Sequence, residues 1–253
     1  MNWHCYTCFH SMPEQACAGG IAVVIDVLRA STTIITALAN GAKQVKTVRS
    51  LETAHSLAGS NTLLGGERGG HKPALFHFGN SPYEYTRENV SGQMIVFSTT
   101  NGTAALHACE SASEILIGGI INRSAVALNS HRLSKQLNDC DIHLVCAGTD
   151  GKITEEDLLG AGAILDAALQ LDGVSIDMFD VSAQEALDLF QSTVLRNPEM
   201  REALLQKIID SRGGRNLAAI GMEQDLMPAA AIDSSNVVPK MSPASGALIS
   251  AYE

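Results

Sequence analysis

Apolar positions along the chain gather into short runs of two kinds. Ile21–Ile25, Met94–Phe97, Glu114–Ile117 and Asp141–Val145 are brief and rich in β-branched residues, the pattern of strands buried on both faces of a sheet. Gln44–Val48 and Thr62–Leu64 are further extended pieces. Between them the apolar spacing turns helical, over Ile34–Leu38 stopping near Gly41, Leu51–Ala58, Ala104–Ala108, Ala125–Leu137 and Leu158–Gln170. Strand and helix in alternation predict an α/β chain with a mostly parallel or mixed central sheet, one domain of several layers over residues 1–253. From Asp180 the pattern is helical, with Ala183–Thr193 and Glu199–Asp210 separated by a break at Asn197-Pro198, and Gly213-Gly214 predicted to end the second helix. The tail Asn216–Glu253 offers only Val237-Val238 and Ala247–Ile249, read as an edge strand. His71–Val90 has no period, but Phe76, Phe78, Tyr83 and Tyr85 predict a loop that packs down.

The polar residues that interrupt this pattern cluster where strands end. Asp26 closes the first buried strand, and Arg29, Ser31, Thr32 and Thr33 precede a helix. The same order of strand, hydroxyls and helix start recurs at Ser98-Thr99-Thr100-Asn101-Gly102-Thr103. A third junction, Asp150–Asp157, carries Glu156 and Asp157, and the turn Gly65–Gly70 sets Glu67 and Arg68 between glycine pairs. The first amides of a helix lack partners and carry partial positive charge, so such junctions receive anions, and the carboxylates beside them can hold a cation. A plainer reading is also open. Ser and Thr are ordinary helix caps, Thr154 with Asp157 is a variant capping box, and a glycine-rich turn can simply be a surface turn.

Composition narrows the field. The chain is 45% hydrophobic and 17% charged, an ordinary globular balance, and only 4% aromatic, which is poor for base stacking. With 27 acids against 17 Lys and Arg the net charge is -10, which disfavours nucleic acid and anionic membranes as partners. A small anionic substrate therefore needs a local cationic pocket or a metal. Apolar runs fall short of a membrane span, Met1–Gln15 lacks the layout of a secretory signal, and six scattered cysteines without a disulfide framework point to reduced thiols in a cytoplasm. Cys5-x-x-Cys8, with His4, His10 and Cys17 nearby, looks like part of a metal-binding tail but lacks a second spaced pair. Asp26, Glu67, Glu156 and Asp157 form an oxygen-only donor set that suits Mg²⁺ rather than zinc. Phosphoryl chemistry follows from a Mg²⁺ beside an anion cradle. There is no phosphate-binding P-loop, and Leu28 stands where haloacid-dehalogenase-like phosphatases carry a second Asp.

Six stretches in series resemble the 2-phosphosulfolactate phosphatase family of the coenzyme M biosynthesis type: Val24–Thr33, Gly66–Gly70, Gly79-Asn-Ser-Pro82, Thr99–Thr103, Cys146-Ala-Gly148 and Glu156-Asp157. They span about half of the chain. The resemblance implies a three-layer α/β/α fold and a Mg²⁺-dependent phosphoric monoester hydrolase that converts 2-phospho-3-sulfolactate to 3-sulfolactate and phosphate. It implies catalytic roles for Asp26, Arg29, Glu67 and Arg68. Substrate contacts would come from Ser31, Thr32, Thr33, Gly69, Asn80, Ser81, Thr99, Thr100, Asn101, Gly102 and Thr103, and metal contacts from Asp26, Glu67, Glu156 and Asp157. His77-Phe78 before the Gly-Asn-Ser-Pro stretch and the divergent segment 1–20 depart from the family pattern. A homodimer stays open, as does the alternative of a non-catalytic binder of small sulfonates or organic phosphates that uses the same cradle.

Overall fold

A continuous apolar strand requires cover on both faces, and Ile21–Ile25 has it: every residue is buried, Ile21, Val23 and Ile25 in one core and Ala22 and Val24 in another. The computed structural model describes residues 1–59, 61–194 and 200–251. The Asn197-Pro198 break lies outside the described residues. In chain order the elements are β1 Trp3–Tyr6, β2 Ile21–Ile25, α1 Ala30–Ala39, β3 Gln44–Thr47, α2 Leu51–Ser56, β4 Thr62–Gly66, α3 Arg87–Val90, β5 Met94–Ser98, α4 Gly102–Ala108, β6 Glu114–Gly118 and α5 Arg123–Gln136. There follow β7 Ile142–Cys146, α6 Glu155–Ala168, α7 Val181–Val194, α8 Met200–Asp210, α9 Arg212–Ala219, α10 Leu226–Ala229, β8 Pro239–Met241 and β9 Leu248–Ser250.

The described strands make one nine-stranded mixed sheet in the order β1-β7-β2-β6-β8-β9-β3-β5-β4. Two parallel blocks, β1-β7-β2-β6 and β3-β5-β4, are joined by the antiparallel hairpin β8–β9. Helices α5 to α10 supply the core on one face, and α1 and α4 with the packed loop around Tyr85 supply the other. This is the three-layer α/β/α arrangement, with all nine strands in a single sheet.

Two readings of the sequence are corrected. The tail does not add an edge strand: its hairpin fills the gap between β6 and β3, with Val238 buried toward one core and Leu248 toward the other. Lys240 pins it to β6 through Glu114, Nζ to Oε1 2.8 Å. Gly213-Gly214 does not end a helix but lies inside the first turn of α9, whose Ser211 cap accepts a bond from the Gly214 amide at 3.1 Å. The divergent segment 1–20 contributes Trp3–Tyr6 as edge strand β1 beside β7. The 71–90 loop packs down through Phe76 and Tyr85, which are buried, whereas Tyr83 is exposed.

Candidate active site

Parallel strands deliver their carboxyl ends to one edge, and open α/β sheets receive ligands in the crevice there. In this chain the loops after β2, β4, β5 and β7 open onto a cavity of about 420 Å³, and α9 forms its far wall. Asp26, Arg29, Glu67, Asn80, Thr100 and Asn101 all line it.

Asp26 follows the last residue of β2. Its backbone amide donates to Ser31 Oγ at 2.9 Å, and its Oδ1 accepts from the Ala30 amide at 3.3 Å, so the carboxylate caps the helix it precedes. Gly102, the first residue of α4, packs against it: a Cβ there would stand 2.7 Å from Asp26 Oδ2 and 2.8 Å from Ala30 Cβ. Only glycine lets the second helix start this close. Burial pushes the Asp26 carboxyl up to about 7; the Ala30 amide opposes this, Glu67 and Glu156 reinforce it, and Arg29 draws it back.

Glu67 follows β4 and joins two loops by their backbones. Its Oε1 accepts from the Thr100 amide at 2.8 Å and its Oε2 from the Gly70 amide at 2.7 Å. Arg29, 4% exposed, donates from Nη1 to Asp225 Oδ2 at 2.7 Å and from Nη2 to the Gly70 carbonyl at 3.0 Å. Asp225 also accepts from Ser81 Oγ at 2.6 Å through Oδ1. Two carboxylates and one guanidinium thus meet in a pocket whose walls hold them by backbone bonds.

Other residues implied by the family pattern lie elsewhere. Arg68 is absent from the cavity lining, and its guanidinium turns toward the sheet, donating to the carbonyls of Glu67 (2.7 Å) and Arg49 (2.8 Å) and to Ser98 Oγ (2.8 Å). The hydroxyls of Ser31, Thr32 and Thr33 donate to the carbonyls of Val24, Val27 and Asn80. Thr99 and Thr103 bond each other across the start of α4. These residues, with Ser81, build the cavity wall from behind, whereas Gly69 sits on its surface.

The acidic pair on α6 divides. Asp157 accepts from the Val27 amide through Oδ1 (2.8 Å), and from the Gly148 amide and Thr154 Oγ1 through Oδ2 (2.9 Å each). Burial and the charges of Asp26 and Glu156 raise its pKa, and the two amides pull the other way. Glu156, 2% exposed, sits so close to α9 that a Cβ on Gly213 would stand 2.1 Å from its Oε1. Burial raises its carboxyl, against bonds from Ser211 and the Gly213 amide, while its Oε2 has no partner.

No group of three His, Cys, Asp or Glu side chains among the described residues forms a ready-made metal cage. Mg²⁺ seldom needs one, because it keeps several waters and takes one or two carboxylates plus substrate phosphate oxygens. Asp26 and Glu67 provide such a pair on the cavity surface. Asn80, which lines the cavity, has a buried Oδ1 without a partner that a ligand shell would satisfy, whereas Glu156 and Asp157, expected as metal contacts, do not line it. The donor set fits a hard cation. Cys5, Cys8 and Cys17 are buried free thiols, and they belong to no metal-holding group among the described residues.

Sequence reasoning missed the α9 wall (Asn216, Leu217, Ala219, Ile220) and Asp225. The signal for α9 was Ser211, a good cap three residues before Gly214. Nothing local marks Asp225, whose partner Arg29 lies 196 residues away.

The sequence model of one protein family, described as 2-phosphosulpholactate phosphatase, matches residues 6–243. A probable 2-phosphosulfolactate phosphatase of Symbiobacterium thermophilum is 38% identical over 90% of this chain and 93% of its own. The protein of that name from Caldanaerobacter subterraneus subsp. tengcongensis is 35% identical over 93% of each chain, and that from Thermotoga maritima 38% over 87% of this chain and 88% of its own.

Proposed function

The chain belongs to the 2-phosphosulfolactate phosphatase family, and from that premise we propose that it is a Mg²⁺-dependent phosphatase that hydrolyses 2-phospho-3-sulfolactate to 3-sulfolactate and phosphate, a step of the coenzyme M biosynthesis type. The observation that carries the reading is the convergence of Asp26, Glu67 and Arg29 on one cavity at the carboxyl edge of the sheet.

The charges on the cavity surface argue for the cation. Asp26, Glu67 and Asp150 line the cavity with Arg29; Arg29 is already paired with Asp225, and Asp150 with Arg212, which leaves Asp26 and Glu67 without a basic partner among the described residues. A substrate bearing phosphate, sulfonate and carboxylate groups would be repelled by that surface unaided. When bound, Mg²⁺ neutralises phosphoryl oxygens and lowers the pKa of water. Asp26 and Glu67 are the residues that would hold it. Arg29 donates to the equatorial oxygens as charge develops on them. Burial raises the Asp26 carboxyl in the metal-free fold, and a bound cation would favour its ionised form, so Asp26 would act as a ligand to the cation rather than as the carrier of a proton. Arg68, Ser31, Thr32, Thr33, Thr99 and Thr103 act through the walls they brace.

Phosphate release from 2-phosphosulfolactate, phospholactate and p-nitrophenyl phosphate, measured after chelation and again with added Mg²⁺, tests this. Release from phosphosulfolactate above the others, restored by Mg²⁺, is expected. Calorimetric binding of phosphosulfolactate with no release at any Mg²⁺ concentration would overturn it in favour of a non-catalytic binder.

A further inference from the structure

Resting on that reading, we propose that Asp225 is a positioning residue: it fixes the plane of the Arg29 guanidinium so that the remaining N–H donors face the bound phosphoryl group. Asp225 is fully buried, in the turn that leads into α10. A carboxylate there is costly unless each oxygen finds a strong donor. Asp225 has one on each, Arg29 Nη1 at 2.7 Å on Oδ2 and Ser81 Oγ at 2.6 Å on Oδ1. The Gly70 carbonyl takes Nη2 at 3.0 Å. With one donor used on each terminal nitrogen, the guanidinium keeps about three of its five N–H groups for the cavity that Arg29 lines.

The two anchors act differently. Gly70 belongs to a loop held by Glu67, whereas Asp225 comes from the helical side of the fold and is tied to the Ser81 loop. The guanidinium is therefore clamped between two separate parts of the chain, one on each terminal nitrogen. A flexible cation pays ordering entropy when substrate arrives, and a clamped one does not. Asp225 also cancels much of the net charge on Arg29, so the guanidinium works as an oriented donor array rather than as a free cation. A purely structural Asp225 would make its removal equally damaging whether or not Arg29 is present.

That difference is the test. Asp225→Asn, Arg29→Gln and the double variant form a cycle, read by kcat/KM for phosphosulfolactate, by affinity for inorganic phosphate in Mg²⁺ buffer, and by thermal unfolding. Expected is a loss of about 100-fold in kcat/KM for Asp225→Asn, mostly in kcat, against less than about threefold when Arg29 is already Gln. Equal losses in both backgrounds would overturn the proposal. Should Asp225→Asn not fold, Asp225→Glu keeps the charge and moves the anchor by one methylene; it is expected to lower kcat while sparing the melting temperature, and unchanged kcat would count against the proposal. If the wild-type chain releases no phosphate, the phosphatase reading fails, and the phosphate-affinity cycle still decides the role of Asp225: weakening confined to the Arg29 background supports it, and weakening in both rejects it.

Discussion

Two neighbouring strand ends of this sheet both lead to buried acids, and they use them in opposite ways. β2 and β7 run side by side in parallel register, Ile25 opposite Cys146. After β2 comes Asp26; after β7 the loop leads to Asp157 in the first turn of α6. Burial raises the pKa of both carboxyls. What separates them is the supply of donors. Asp157 takes two amides and a hydroxyl, one of the amides being that of Val27 just after Asp26. Asp26 takes the single long bond from Ala30. The acid at one junction is thus spent on holding the other junction's loop, and the acid so presented stays under-bonded at a cavity wall. A carboxylate saturated by its own chain is a staple; one left short of partners is available to a ligand.

Removing each acid in turn tests the division, and the larger effect belongs to Asp26. Asp26→Asn is expected to lower phosphate release by roughly a thousandfold or more, the scale for losing a group that acts on developing charge, while circular dichroism and melting report a folded chain. Comparable activity loss in a fully stable Asp157→Asn variant would erase the distinction.

The next effect is on stability. Asp157→Ala leaves the Val27 and Gly148 amides and the Thr154 hydroxyl without their acceptor. At about 1–3 kcal/mol for each unsatisfied buried group, partly relieved by entering water, the expected cost is about 3–5 kcal/mol. That corresponds to a fall in melting temperature of roughly 6–20 °C for a chain of this size, read by calorimetry. A fall below about 2 °C would mean that Asp157 is not the staple its bonds describe.

The comparison also explains what the sequence could and could not disclose. The strands were legible because a β-branched run such as Ile21–Ile25 has few alternatives, and the carboxyl-edge location followed from the repeated strand-hydroxyl-helix order. Roles within the junctions were not legible, because Asp26 and Asp157 differ only in which distant amides reach them. Arg29 and Arg68 look equivalent in sequence; one meets Asp225 and lines the cavity, and the other meets the carbonyls of Glu67 and Arg49. The hairpin β8–β9 escaped because its strands are only three residues each, too short for a period, and their place in mid-sheet is set by the exposed edges of β6 and β3.

The smallest effect is also the most diagnostic, and it concerns pH in the metal-free protein. In the unfolded chain Asp26 releases its proton near the ordinary 3.8, whereas in the fold it holds it to about 7. Between those values the native state binds more protons than the unfolded state, so stability falls as pH rises through the window and levels off above it. The interval sets a ceiling of about 4 kcal/mol, and because part of the rise comes from neighbouring charges that the folded chain can relax around we expect about 2 kcal/mol. Asn cannot ionise. In chelator, Asp26→Asn should match the wild type near pH 4 and exceed it by that margin near pH 8, as measured by urea unfolding at each pH. Asp157→Asn should differ by an offset: its disturbed backbone bonds cost stability already near pH 4, where Asp26→Asn matches the wild type, and the titration of its own raised carboxyl is superimposed on that loss. Added Mg²⁺ should narrow the gap by favouring the ionised carboxylate in the wild type alone. An Asp26→Asn advantage that is the same at both pH values would mean that the buried carboxyl is not the source of the instability.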